Sequence, residues 1–338
     1  MLMTKKKQLG QFFTKNSEYI VGNLIDIFPD DSTIVDPFCG EGDLLKMVKN
    51  YNIVGYDIDK KIKGVIQQDT LNNPPDYKNK WIITNPPYLS RNKNKDKLLY
   101  DKYELNDLYK ISIKTIMDCE GGVIIIPLNF FSGDDYKLRN EFLTNFKIIK
   151  MNIFEETVFD DTDYTVCSFS FIKNKQEEQI IESTFFPSKK SIKYEVNLKS
   201  NFTLGNEFFN IIKKGNFLKI KRLVRDKNDL IPNSYIYLRS IDTGTNDGRI
   251  SLSINKDYFY AKVSDRTFAT LILDKQYNLD EQRLICNKFN EIIEYYRDMY
   301  NSLFLTNYRN SSKSYARKRI SFDMVYSLVS HIIDEYLK

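Results

Sequence analysis

The stretch "WIITNPPYLS" at residues 81–90 opens as a strand and stops abruptly. Trp81, Ile82, Ile83 and Thr84 are the aromatic and β-branched types that strands favour. Pro86 and Pro87 have no N–H to offer a ladder, so the strand ends at Asn85. A stiff elbow is expected there, carrying one amide and the ring of Tyr88. The Asn85 side-chain carbonyl and the Pro86 main-chain carbonyl are two acceptors, and the second is held in direction because Pro87 follows it. Two acceptors converging on one point suit an –NH₂ group. An exocyclic amine on adenine is a poor nucleophile, and such acceptors favour the charge that develops when it attacks.

Working outward, "STIVDPF" (32–38), "NIVGYDID" (52–59) and "GGVIIIPLNFF" (121–131) join residues 80–88 as near-continuous apolar runs, the pattern of strands covered on both faces. Helical patterns at 42–51 and 107–119 alternate with them, so a parallel α/β sheet is predicted. The runs at 147–156 and 164–173 leave no room for a crossover helix between them and are read as an antiparallel pair closing the sheet. After about residue 178 the alternation is lost. Mixed strands, polar loops and helical stretches at 279–303 and 320–337 follow. The domains are therefore drawn as 1–178 and 179–338.

"DPFCGEG" (36–42) follows the first strand and opens a helix. Gly40 and Gly42 allow a ligand close to the main chain. Asp36, Asp57 and Asp69 end three successive strand candidates, and in an open α/β sheet those ends line the ligand crevice. The turn lacks the third glycine of a dinucleotide fingerprint, and no Gly-Lys-Ser/Thr follows as in a P-loop. An acidic crevice suits a ligand with a ribose and a cationic amino-acid part, and S-adenosylmethionine fits that description.

Together "LGQFFT", "DPFCGEG", "GYDID", "QQDTL" and "NPPY", in that order, resemble the N6-adenine DNA methyltransferases, in the gamma arrangement with the target-recognition part last. The resemblance covers residues 8–173. It implies a Rossmann-like S-adenosylmethionine-dependent methyltransferase sheet, mostly parallel with an antiparallel last strand, followed by an α+β target-recognition domain. It implies that Gln11, Phe13 and Thr14 close over the methionine part of the cofactor. Asp36, Pro37, Cys39, Gly40 and Gly42 would approach it, Asp57 would hold the ribose and Asp69 the cofactor adenine, with Ile58 and Thr70 also at the cofactor. Asn85, Pro86, Pro87 and Tyr88 would form the catalytic elbow, with Asn85 also beside the cofactor and Tyr88 stacked on a flipped base. A second stacking ring is expected from Phe159 or Tyr164.

Basic residues supply candidate DNA contacts. "NYRNSSKSYARKRISF" (307–322) carries Arg309, Lys313, Arg317, Lys318 and Arg319. Arg239 and Arg249 flank a glycine loop, and Arg91 and Lys93 follow the elbow. Double-stranded DNA is the expected partner, with a restriction endonuclease acting on the same sequence as a second one. RNA adenine, protein glutamine and a non-catalytic DNA-binding subunit are the rival readings. The extra residues after the catalytic part, rather than before it, weigh against protein glutamine.

The 338 residues carry a net charge of +5, which permits a polyanionic partner without demanding one. Four widely spaced cysteines and a single histidine give no metal or disulfide framework. No apolar run is long enough for a leader or a membrane span, so a cytoplasmic protein is expected.

Overall fold

The computed structural model describes residues 14, 16–59, 62–132, 136–159, 164–214, 218–224, 232–243, 248–256, 266–308 and 316–337. The chain divides into two compact units, one running to Phe202 and the other from Thr203 onward, apart from residues 309–314.

The first unit is built on nine strands: β1 (Thr33–Asp36), β2 (Asn52–Asp57), β3 (Ile66–Gln67), β4 (Trp81–Thr84), β5 (Gly121–Pro127), β6 (Phe146–Phe154), β7 (Val166–Lys173), β8 (Glu178–Phe186) and β9 (Ser191–Asn197). Their order in the sheet is β3-β2-β1-β4-β5-β7-β6-β8-β9. The pairs β1–β2, β1–β4, β2–β3 and β4–β5 are parallel, and β7 runs antiparallel to both β5 and β6. This is the Rossmann-like, mostly parallel sheet that the sequence predicted, although the antiparallel β7 is not its last strand. β5 is buried along its whole length, as a central strand covered on both faces must be.

Two expectations change. The β6–β7 pair forms as predicted but does not close the sheet, because β8 pairs parallel with β6 and β9 pairs antiparallel with β8. The boundary expected after 178 therefore moves to 202. Residues 174–177 connect β7 to β8 within one sheet, and the alternation of buried and exposed residues along β8 shows a strand with one face solvated. Asp69 lies two residues past β3, in the turn rather than on the strand.

The second unit is α+β. A four-stranded antiparallel sheet has the order β10-β13-β11-β12, from Lys221–Arg222, Phe268–Ile272, Ile236–Arg239 and Ser251–Ile254. A hairpin pairs β14 (Thr306–Tyr308) with β15 (Arg317–Arg319). Helices Leu279–Tyr300 and Phe322–Tyr336 complete it, the first opened by a capping box from Asn278 and Glu281. No helix among the described residues is long and apolar enough to cross a membrane.

Candidate active site

The strands β1, β2 and β4 run parallel, so their carboxyl ends gather on one edge of the sheet, and a cavity of about 340 Å³ opens there. It brings together Asp36, Cys39 and Gly40 from the first strand and turn, Asp57 and Ile58 from the second, and Asp69 and Thr70 from the third. Thr14, Asn85 and Pro87 also line it. Among the expected residues, Pro37, Gly42, Pro86 and Tyr88 do not line it. Gln11 and Phe13 lie outside the described residues.

The glycine turn is fixed by its neighbours. Gly40 and Gly42 have φ of 52° and 76°, the left-handed region that glycine takes at little cost. Gly42 donates its N–H to the Cys39 carbonyl, and Cys39 donates its own to Tyr56 in β2. Asp57 accepts from the Gly40 N–H at 2.8 Å with one oxygen and from the Asp59 N–H with the other. In this structure the carboxylate expected at the ribose thus holds the turn in place, and each of its oxygens keeps a further lone pair. Asp69 braces its own turn in the same way, accepting from the main-chain N–H groups of Leu71 and Asn72. Thr70 is buried, with its hydroxyl donated to the Pro37 carbonyl.

Asp36 is buried at the head of the cavity. Its Oδ1 accepts from the Phe38 N–H and the Thr84 hydroxyl. Burial pushes its carboxyl up to about 7, and the nearby Asp57 adds to the rise, while those two donors oppose it. A cation placed here would favour the ionised form.

At the elbow, Asn85 is braced from both sides. Its Nδ2 donates to the Thr14 hydroxyl at 3.2 Å, and its Oδ1 accepts from the Tyr88 hydroxyl. Tyr88 also reaches the Ile125 carbonyl. Its ring is buried, edge-on to Tyr109 and Tyr164 at 6.2 and 5.9 Å. The face expected to stack on a base is therefore covered in this conformation. Of the two candidates for a second ring, Phe159 is buried, whereas Tyr164 is half-buried and packs directly on Tyr88.

Sequence reasoning missed several lining residues. Phe38, Leu71 and Leu99 give the cavity apolar wall, and Glu41, Asp43, Asn94 and Asp96 add polar groups. Asn94 and Asp96 lie in the loop after the elbow from which Arg91 and Lys93 were read as candidate DNA contacts, where the alternating lysines masked them. Among the described residues, no lysine or arginine lines the cavity.

Asp107 was also missed. It is buried beside the elbow, and one of its carboxylate oxygens has no hydrogen-bond partner among the described residues. Burial pushes its carboxyl up to about 6.

The basic candidates are scattered. Arg91 forks onto Asp101, and Arg249 pairs with Glu294. Both partners are therefore occupied within the fold. Lys93 is exposed, and Arg239 lies over the Phe268 ring. The hairpin β14–β15 runs beside the end of β11: Ile241 bridges to Arg319, and the Asp242 N–H donates to the Lys318 carbonyl. This sets Lys318 and Arg319 beside residues 240–242, which are distant in sequence, and the Lys318 Nζ donates to the Asn301 carbonyl. Arg309 and Lys313 lie outside the described residues.

No protein-family model matches the chain. A D-alanine–D-alanine ligase of Campylobacter concisus is 29% identical over 165 residues, which are 48% of this chain and 43% of the ligase. The chain thus spans less than half the length of that curated relative. Among solved structures, the modification subunit assigned to a type I restriction enzyme of Vibrio vulnificus YJ016 is similar at a TM-score of 0.43 and 14% identity, over 74% of this chain and 60% of that one. A protein of Listeria monocytogenes assigned to the class I S-adenosylmethionine-dependent methyltransferases gives 0.42 and 18%, over 54% and 67%. The type I restriction-modification methyltransferase subunit of Streptococcus thermophilus gives 0.37 and 14%, over 52% and 48%. None of these reaches a TM-score of 0.5, so a functional reading has to come from the site itself.

Proposed function

We propose that the chain is an S-adenosylmethionine-dependent methyltransferase acting on the N6 amine of adenine in double-stranded DNA. The observation that carries this reading is the character of the cavity. It runs from Asn85 at the elbow past Asp36 and Asp57 to Asp69, and every charged side chain among its described lining residues is acidic. Such a wall disfavours a triphosphate and suits a ligand with a cationic amino-acid part, a ribose and a purine. S-adenosylmethionine bound there would supply an electrophilic methyl group on a positively charged sulfur. Asp36 would face the cationic end, Asp57 the ribose, and Ile58 with Pro87 the purine ring.

The elbow does the rest by positioning. The Asn85 and Pro86 carbonyls accept the two hydrogens of the target amine and direct its nitrogen toward the cavity. Thr14 and Tyr88 hold the Asn85 side chain in one orientation. After the base leaves the duplex, Tyr88 and Tyr164 supply the stacking surface, which requires the Tyr88 ring to turn out of its present packing. The second unit would recognise the target sequence, with basic residues such as Arg239, Arg317 and Arg319 on the phosphates. A restriction endonuclease reading the same sequence would be its partner.

The test is transfer of a labelled methyl group from S-adenosylmethionine to duplex DNA, digested to nucleosides, with an Asn85→Ala control. Label in N6-methyladenine that vanishes in the control supports the reading. Label in RNA or in a protein glutamine keeps the chemistry and overturns the substrate. Absence of cofactor binding overturns the whole.

A further inference from the structure

The loop between the elbow and the helix Leu98–Tyr103 alternates in character: Arg91, Asn92, Lys93, Asn94, Lys95, Asp96, Lys97. Of these only Asn94 and Asp96 line the cavity. The loop is built to present them. Asn94 Oδ1 accepts from the Asp96 N–H at 3.2 Å, and Asp96 Oδ1 accepts from the Leu98 N–H at 3.0 Å. Asn94 Nδ2 donates to the Tyr100 hydroxyl, which in turn donates to the Leu89 carbonyl, one residue past Tyr88. Tyr100 is buried, so the loop is anchored to the elbow.

This wall stands at the β3 end of the cavity. Leu71, which follows β3, packs in one cluster with Leu89, Tyr100 and Leu108, and Leu99 packs against that cluster. The Tyr103 hydroxyl donates to the Leu71 carbonyl. Leu71, Leu99 and Leu108 give this end flat apolar contact. Asn94 and Asp96 give it a donor and an acceptor, since each amide or carboxylate keeps hydrogen-bonding capacity beyond the bonds described. Apolar faces with one donor and one acceptor at the edge are what an aminopurine needs: an acceptor for its amine and a donor for the adjacent ring nitrogen.

We propose that Asn94 and Asp96 contact the purine edge of the cofactor and set its preference for adenine. The inference rests on the S-adenosylmethionine reading above. Asp96 accepts one hydrogen of the purine amine, alongside Asp69 at the same end of the cavity, and the second N–H of Asn94 donates to the adjacent ring nitrogen.

The experiment measures binding of S-adenosylmethionine and of its inosine counterpart, in which a carbonyl replaces the purine amine. The proteins are the full-length chain and its Asp96→Ala, Asn94→Ala and Lys95→Ala variants. Wild type should prefer the adenine form by about tenfold or more. Asp96→Ala should weaken binding of the adenine form about tenfold while leaving the inosine form nearly unchanged, so that the preference collapses. Asn94→Ala should likewise weaken the adenine form, because the ring nitrogen beside the inosine carbonyl carries a hydrogen and cannot accept, and Lys95→Ala should weaken neither form. If wild type binds the cofactor and Asp96→Ala keeps the same affinity or the same preference, the purine contact is wrong while the functional reading stands. If wild type binds neither form, both fall.

Discussion

The hydroxyl of Tyr88 donates to the side-chain carbonyl of Asn85 across 2.5 Å, while the Tyr88 ring is only 2% exposed. The elbow therefore braces itself: the residue expected to stack on the base also orients the residue expected to hold the amine. Thr14 on the other side of the amide fixes which end of Asn85 faces the site. These two roles of Tyr88 can be separated.

Tyr88→Phe keeps the ring and removes the hydroxyl. Loss of one buried hydrogen bond should slow single-turnover methyl transfer by about 5–20-fold, with cofactor affinity unchanged. Asn85→Ala should cost about 10²–10³ or more, because the acceptor itself is gone. A Tyr88→Phe variant at wild-type rate would reduce the hydroxyl to a packing group.

Asp36 predicts a pH dependence with a definite sign. Burial pushes its folded carboxyl up to about 7, against about 3.9 for an ordinary aspartate, so folding takes up a proton between those values. Stability from this group is full below about pH 4 and is lost as pH rises to about 7. Asp36→Asn should flatten the urea midpoint across that window. A cationic ligand works in the opposite direction, so its affinity should fall as pH drops below 7, and binding near pH 6.5 should release a proton. Calorimetry in buffers of different ionisation enthalpy reads that release directly.

Gly42 should not tolerate a side chain. At φ of 76° an L-residue is strained by about 1–2 kcal/mol, and a Cβ there would lie 2.8 Å from the Ile62 Cδ1. Gly42→Ala should lower the thermal midpoint by several degrees and weaken cofactor binding, because the same turn carries Cys39 and Gly40. Unchanged binding would show that the turn is not part of the ligand site.

In the second unit Arg297 is 9% exposed and forks onto Asp242 at 2.6 and 3.3 Å, with Glu294 as a further partner. Asp242→Ala leaves a buried guanidinium short of charge and should cost about 3–5 kcal/mol in urea unfolding. Arg249→Ala removes only the exposed pair with Glu294 and should cost about 1 kcal/mol or less. Equal losses would mean that the two ion pairs share one environment.

Removing a phosphate contact has its own signature. Arg317→Ala should weaken duplex binding to cognate and unrelated sequences alike and flatten the plot of log affinity against log salt by about one. Weakening confined to the cognate sequence would make Arg317 a base reader instead.

Much of the site is legible in sequence because its residues are local to strand ends. "NPPY" stops β4 by removing donors, the glycines mark the turn, and an aspartate lies at or just past the end of each of the first three strands. The second unit is less legible, since Ile241 and Arg319 meet only through pairing across some eighty residues. The affiliation of β8 and β9 was hidden for a related reason. A half-solvated strand after a polar linker looks like the start of something new, and only its parallel pairing with β6 shows otherwise. Asn94 and Asp96 were hidden by alternation: averaged over the loop, the lysines dominate, yet only the residues between them line the cavity.

A cavity walled by Asp36, Asp57, Asp69 and Asp96, with no described basic residue, attracts a cation and is nearly indifferent to a neutral molecule. Under the proposed function, giving up the methyl group turns the positively charged sulfur into a neutral thioether. The spent carrier then sits in a site whose hold on it has loosened, while fresh donor outside is still drawn in. Exchange is thereby biased forward by the chemistry itself, although the ammonium of the carrier's amino-acid part is kept throughout.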